Sequence, residues 1–166
     1  MTDVVVVTGP VGVGKTAVTW EMVEVLDERG VPFMRFDADA VHYRPHEPDD
    51  RFGERVTLQV LGHAWSLVRS PRVLLPKVVE TRDWIDRYRA VIPDAAITIV
   101  RLTAPRDVVA DRVREREIGA GLDWHLARAI ELEEHWEANP VEDFTVENTG
   151  PVREVALEVL DRVRWL

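Results

Sequence analysis

The chain contains no cysteine, which excludes disulfides, zinc–thiolate centres and thiol nucleophiles and fits a reducing compartment. Basic residues are outnumbered: 21 Lys and Arg against 30 Asp and Glu give a formal net charge of −9. Neither nucleic acid nor an anionic membrane is therefore expected as a general partner, since both favour a basic face. No apolar run is long enough to span a bilayer. The N-terminus enters a strand at once and leaves no room for a signal peptide, so a soluble, cytoplasmic protein is expected. Repeats, low-complexity tracts and linkers are missing too. The 166 residues read as one domain, large enough to bury a core without covalent staples.

What is present is concentrated near the start. Val4-Val5-Val6-Val7 is a β-branched run suited to a parallel strand buried on both faces, and Lys15 to Glu28 reads as a helix. Between them lies Gly9-Pro10-Val11-Gly12-Val13-Gly14-Lys15-Thr16, which matches G-x-x-x-x-G-K-[ST] at a strand-to-helix turn. Glycines there allow a tight path whose N–H groups point at phosphates, and the helix N-terminus adds its positive dipole end. Lys15 is expected to reach the β- and γ-phosphates, and Thr16 to ligate magnesium.

Further on, Arg29-Gly30 followed by Pro32 is a helix stop, and Phe33 to Phe36 reads as a short second strand ending at Asp37. His42 to Gly53 suits an irregular segment. A helix is expected over Glu54 to Ser70, a strand over Arg72 to Leu75 running into Pro76, a helix over Arg82 to Val91 and a strand over Ala95 to Leu102. The next helix starts after Pro105 and runs to Ile118. Gly119-Ala120-Gly121 interrupts it, and another helix follows to Trp136. Phe144 to Glu147 is a fifth strand. The last helix aligns Val152, Val155, Ala156, Val159, Leu160 and Val163 on one face. Strands alternating with helices imply right-handed βαβ units and a parallel sheet covered on both faces. Ligands of such a sheet bind beyond the carboxyl ends of its strands, where the glycine loop, Asp37, Pro76-Lys77 and Thr103 should converge.

Asp37 sits where an acceptor hydroxyl would approach the γ-phosphate. A carboxylate there can orient the hydroxyl, accept its proton or hold magnesium. The two acids are not expected to share the role: Asp39 can take it in place of Asp37 or cap a helix. Arg112 and Arg116, four apart on one helical face, can grip phosphates, or pair at the surface with Asp111, Glu115 and Glu117. The glycine break after them suits a short lid that closes to exclude water, with Arg116 stabilising charge on the moving phosphoryl group. Arg128 can approach the same anion or pair locally with Glu131. Arg44, Arg51, Arg55, Lys77 and Arg82 are candidates for an anionic acceptor. Trp65 and Trp84, two of six tryptophans, can wall the acceptor side. His42 and His46 have metal-pair spacing, but Pro45 breaks the helix such a pair needs.

These residues resemble the small P-loop kinases, the group of nucleoside monophosphate kinases, shikimate kinases, adenylylsulfate kinases and chloramphenicol phosphotransferases. Gly9 to Thr16, Phe36-Asp37-Ala38-Asp39, the Arg112 and Arg116 helix and Asn148-Thr149-Gly150 carry the likeness. It implies a three-layer α/β P-loop NTPase fold with a five-stranded parallel sheet of order 2-3-1-4-5 and a mobile lid. It also implies Mg-ATP as donor, Arg112 on the adenine or phosphates, Arg116 in the lid, and Asn148, Gly150 and Pro151 near the adenine. Within the group, Val73-Leu74-Leu75-Pro76 and the stretch from Ile99 to Arg116 look most like the tunicamycin-resistance ATP-binding proteins. A third strand ending in proline lacks the acid that many relatives use for magnesium, so Asp37 or Glu80 would have to supply it. No Asn-Lys-x-Asp motif supports a GTPase. The expected activity is transfer of the γ-phosphate of ATP to a hydroxyl or phosphate of a small-molecule acceptor, an antibiotic or nucleoside-like metabolite, by a monomer or homodimer. The alternative is an ATP-binding resistance protein that sequesters its ligand without turnover.

Overall fold

The computed structural model describes residues 1–37, 52–117, 119 and 121–166. Among them the elements run β1 (Thr2–Thr8), α1 (Lys15–Glu28), β2 (Met34–Arg35), α2 (Phe52–Val68), β3 (Arg72–Pro76), α3 (Asp83–Val91), β4 (Ala95–Thr103), α4 (Arg106–Arg116), α5 (Gly121–Ala138), β5 (Phe144–Glu147) and α6 (Val152–Arg162). All the strand pairs are parallel, in the order β2-β3-β1-β4-β5. This is the expected sheet, with β1 at its centre.

The valine run explains the layering. Val5 and Val7 point into a core with Met22 and Leu26 of α1 and Val155, Val159 and Leu160 of α6. Val4 and Val6 point oppositely, against Leu61 of α2 and Tyr88 and Ile92 at α3. A strand covered on both faces needs apolar residues at successive positions, which the period-2 geometry then distributes to two cores. Helix α1 stops as its residues indicate: Gly30 takes φ 63°, its N–H reaches Asp27 O at 3.0 Å, and Val31 N reaches Leu26 O at 3.0 Å. That pattern is a Schellman closure.

Some boundaries differ from expectation for local reasons. Helix α2 ends at Val68 because Arg69 turns left-handed at φ 46°, leaving Ser70 to bond Arg72 O at 2.8 Å. Helix α4 ends at Arg116 rather than Ile118, and Val163 lies just past α6. Pro76 belongs to β3, paired with Val7; the last β2–β3 pair is Arg35–Leu74, so the N–H that Pro76 lacks faces no ladder partner. No described helix is long and apolar enough to cross a membrane.

One half-buried ion pair ties β4 to the segment before β5: Arg101 Nη2 donates to Glu142 Oε1 at 2.7 Å. Burial pushes the Glu142 carboxyl up, but the Arg101 hydrogen bond and the N–H groups of Glu142 and Val141 outweigh it and hold the group below its ordinary 4.5. A depressed carboxyl stabilises the fold above its unfolded value and loses that contribution as pH falls. Glu142→Gln is therefore expected to cost about 1–3 kcal/mol at neutral pH. In urea titrations the gap to wild type should close as the pH drops below the ordinary 4.5; a gap constant with pH would refute the assignment.

Candidate nucleotide site

The loop between β1 and α1 is shaped by three glycines with positive φ. Gly9 (143°), Gly12 (85°) and Gly14 (98°) adopt conformations that L side chains rarely take. They also have no room for one: a Cβ on Gly12 would lie 2.5 Å from Val113 Cγ2, and one on Gly14 would lie 2.4 Å from Asn148 Nδ2. Lys15 arches back over the loop, its Nζ donating to the carbonyls of Gly9 and Pro10 at 2.9 Å each. An ammonium held there stands over the hollow that the loop encloses.

The far side of the loop is clamped from two distant segments. Asn148, buried after β5, donates from Nδ2 to Val13 O at 2.7 Å, while its own N–H reaches Thr103 O at 2.7 Å. Arg112 donates from Nη2 to Asn148 O at 3.0 Å and from Nη1 to Val13 O at 3.4 Å. Asn148 Oδ1 is buried with no hydrogen-bond partner. Thr8 Oγ1, at the end of β1, accepts from Val79 N at 2.9 Å and pins the segment after β3 beneath the same edge.

These pieces enclose a cleft of about 530 Å³. Val11, Gly12, Gly14, Lys15, Thr16 and Ala17 form one wall; Arg112, Arg116, His125, Val78, Asn148 and Val152 complete it. The loop glycines, Lys15, Thr16, Arg112, Arg116 and Asn148 are thus brought together as expected. Gly9, Pro10 and Val13 serve through their carbonyls, as acceptors for Lys15, Asn148 and Arg112. Arg116 is 59% exposed at the end of α4, its Nε donating to Glu117 Oε1 at 3.0 Å, whereas Arg114 turns away to Asp111 at 2.8 Å. The Thr16 hydroxyl has no protein partner among the described residues and lies at the first turn of α1. A magnesium ion bound with a nucleotide fits that hydroxyl and would neutralise phosphate charge there.

Other expected residues lie outside the lining of this cleft. Asp37, just past β2, accepts from Arg35 Nη2 at 2.9 Å; Arg35 in turn stacks 4.3 Å over the Trp20 ring. Arg128 does not line the cleft. It is drawn to Glu80 and, at 2.8 Å, to Glu131, which also commits the Glu80 carboxylate to an ion pair. Lys77 Nζ sits 5.6 Å from the Trp84 ring centroid, and Trp65 and Trp84 pack, partly buried, against the α2–α3 core. Gly150 is exposed, outside the cleft lining. Asp39, Arg44 and Arg51, like His42 and His46, lie outside the described residues, as do Ile118 and Ala120 of the expected lid. Sequence reasoning missed His125, whose signal was its place one turn after Gly121 in α5.

No protein-family model matches the sequence, and no curated protein does. Solved structures do match over nearly the whole chain. The tunicamycin resistance protein of Deinococcus radiodurans aligns with a TM-score of 0.68 at 16% identity, covering 98% of this chain and 96% of that one. A gluconokinase from Sinorhizobium meliloti gives 0.64 at 23% identity, covering 98% and 91%. The APS kinase of Mycobacterium tuberculosis, solved with AMPPNP and APS, gives 0.63 at 20%, covering 98% of each. The chain has the fold of the small P-loop kinases.

Proposed function

We propose that the protein binds Mg-ATP at Gly9–Thr16 and transfers the γ-phosphate to a hydroxyl or phosphate of a small molecule, an antibiotic or nucleoside-like metabolite. The observation that carries this reading is the placement of the left-handed glycines Gly12 and Gly14, Lys15, Arg112 and Arg116 around one cleft. Cations on both walls suit a polyphosphate whose terminal group gains charge exposure during transfer. The acceptor is expected beyond β2, where Asp37 is held by Arg35. The acidic balance of the chain supports action on small molecules and not on nucleic acid or a membrane, by a monomer or homodimer in the cytoplasm. Kinases predominate among the structures it resembles, and no feature of the cleft favours sequestration over transfer.

Lys15→Ala tests the donor site directly. Removing a charge-assisted contact worth about 1.5–3 kcal/mol should weaken Mg-ATP binding about 10- to 150-fold in calorimetry. Circular dichroism should show the fold retained. Equal ATP affinity in wild type and variant would refute the site.

A further inference from the structure

His125 is the one histidine lining the cleft among the described residues, and no part of the reading above uses it. It projects from the first turns of α5. Gly121, one turn earlier, carries no side chain to cover the ring: a Cβ there would lie 3.8 Å from Cε1 and Nδ1. Nδ1 is buried without a hydrogen bond, and Glu117 Oε2 stands 3.7 Å from it, within reach of an ion pair if the ring is protonated. The other oxygen of Glu117 accepts from Arg116. Nε2 has no protein partner among the described residues. Trp124 packs edge-on at 4.9 Å and limits the ring's rotation.

We propose that His125 is an anion-binding residue of the cleft, donating from Nε2 to a nucleotide phosphate while Glu117 supports the protonated ring from behind. This rests on the ATP-binding reading given above. With Nδ1–H facing Glu117, the neutral ring would show a lone pair to the cleft and repel an anion. The imidazolium instead shows an N–H. The remaining charged groups on the lining are Lys15 from α1 and Arg112 and Arg116 from α4, all cationic, with Glu117 the neighbouring acid. On the same helix, Arg128 is occupied by Glu80 and Glu131. An anion bound between these cations favours the protonated ring, so binding and protonation reinforce one another.

The test is Mg-ATP affinity of wild type, His125→Gln and His125→Arg between pH 5.5 and 8, by calorimetry with thermal melts as a folding check. Titration of ATP itself is common to all three and cancels in the ratios. Wild type should bind about tenfold tighter than the Gln variant at the acid end and lose that advantage at the alkaline end. His125→Arg should stay tight throughout. Wild type and His125→Gln following one curve would overturn the role of His125 alone. Wild type binding no Mg-ATP at any pH would overturn the donor-site reading and this inference with it.

Discussion

Gly9→Ala is expected to remove a large part of the protein's stability margin along with its nucleotide binding. At φ 143° the added Cβ would lie 2.7 Å from the carbonyl oxygen of Leu102 and 2.8 Å from Val13 Cγ1. Leu102 is part of β4, between β1 and β5, so its backbone cannot yield without breaking the ladder. Backbone strain of about 1–3 kcal/mol and overpacking of about 1–3 kcal/mol together give roughly 2–6 kcal/mol. Domains of this kind are stable by only about 5–15 kcal/mol. Gly30→Ala is the control, since Gly30 also has positive φ but nothing within 4 Å of its Cβ position; it should cost about 1–2 kcal/mol. Denaturation midpoints measure both. Equal losses at the two sites would show that φ alone matters and that the contact with β4 does not.

Asp37→Asn should lower turnover about 10²- to 10⁴-fold on an acceptor that wild type phosphorylates, while leaving Mg-ATP affinity close to wild type. The amide oxygen can still accept from Arg35, whose side chain is only 10% exposed and is held by Trp20 and by Thr19 Oγ1 at 3.4 Å. Shape and position are thus preserved, and what is lost is the ability to take a proton. Steady-state kinetics should place the effect in kcat, with KM for ATP little changed. A variant that turns over at the wild-type rate would reduce Asp37 to an anchor for Arg35. The catalytic assignment would then be wrong.

Features governed by neighbours in sequence were legible without a structure. The valine run, the glycine loop, the extent of α1, its Gly30 stop and β5 each depend on backbone conformation and on a period of two or 3.6, which local residues dictate. The strand order followed from resemblance to a known family, since alternation alone leaves several orders possible. Side-chain partners were a different matter. Arg112 and Arg116 share a helix face, yet among the described residues one is bonded to Asn148 O, 36 residues away, and the other to its neighbour Glu117. Arg128 could equally have entered the cleft, but the loop after β3 sets Glu80 beside it.

The sequence by itself determined that a glycine loop of the phosphate-binding pattern follows a buried parallel strand, because glycine alone readily takes those dihedrals and a doubly covered strand needs consecutive apolar residues. The tertiary structure alone decided which long side chains reach the cleft. Arg, Lys and Glu arms are flexible and find partners brought near by packing, so their roles depend on contacts between residues tens of positions apart. His125 entered the site, and Arg128 left it, for that reason.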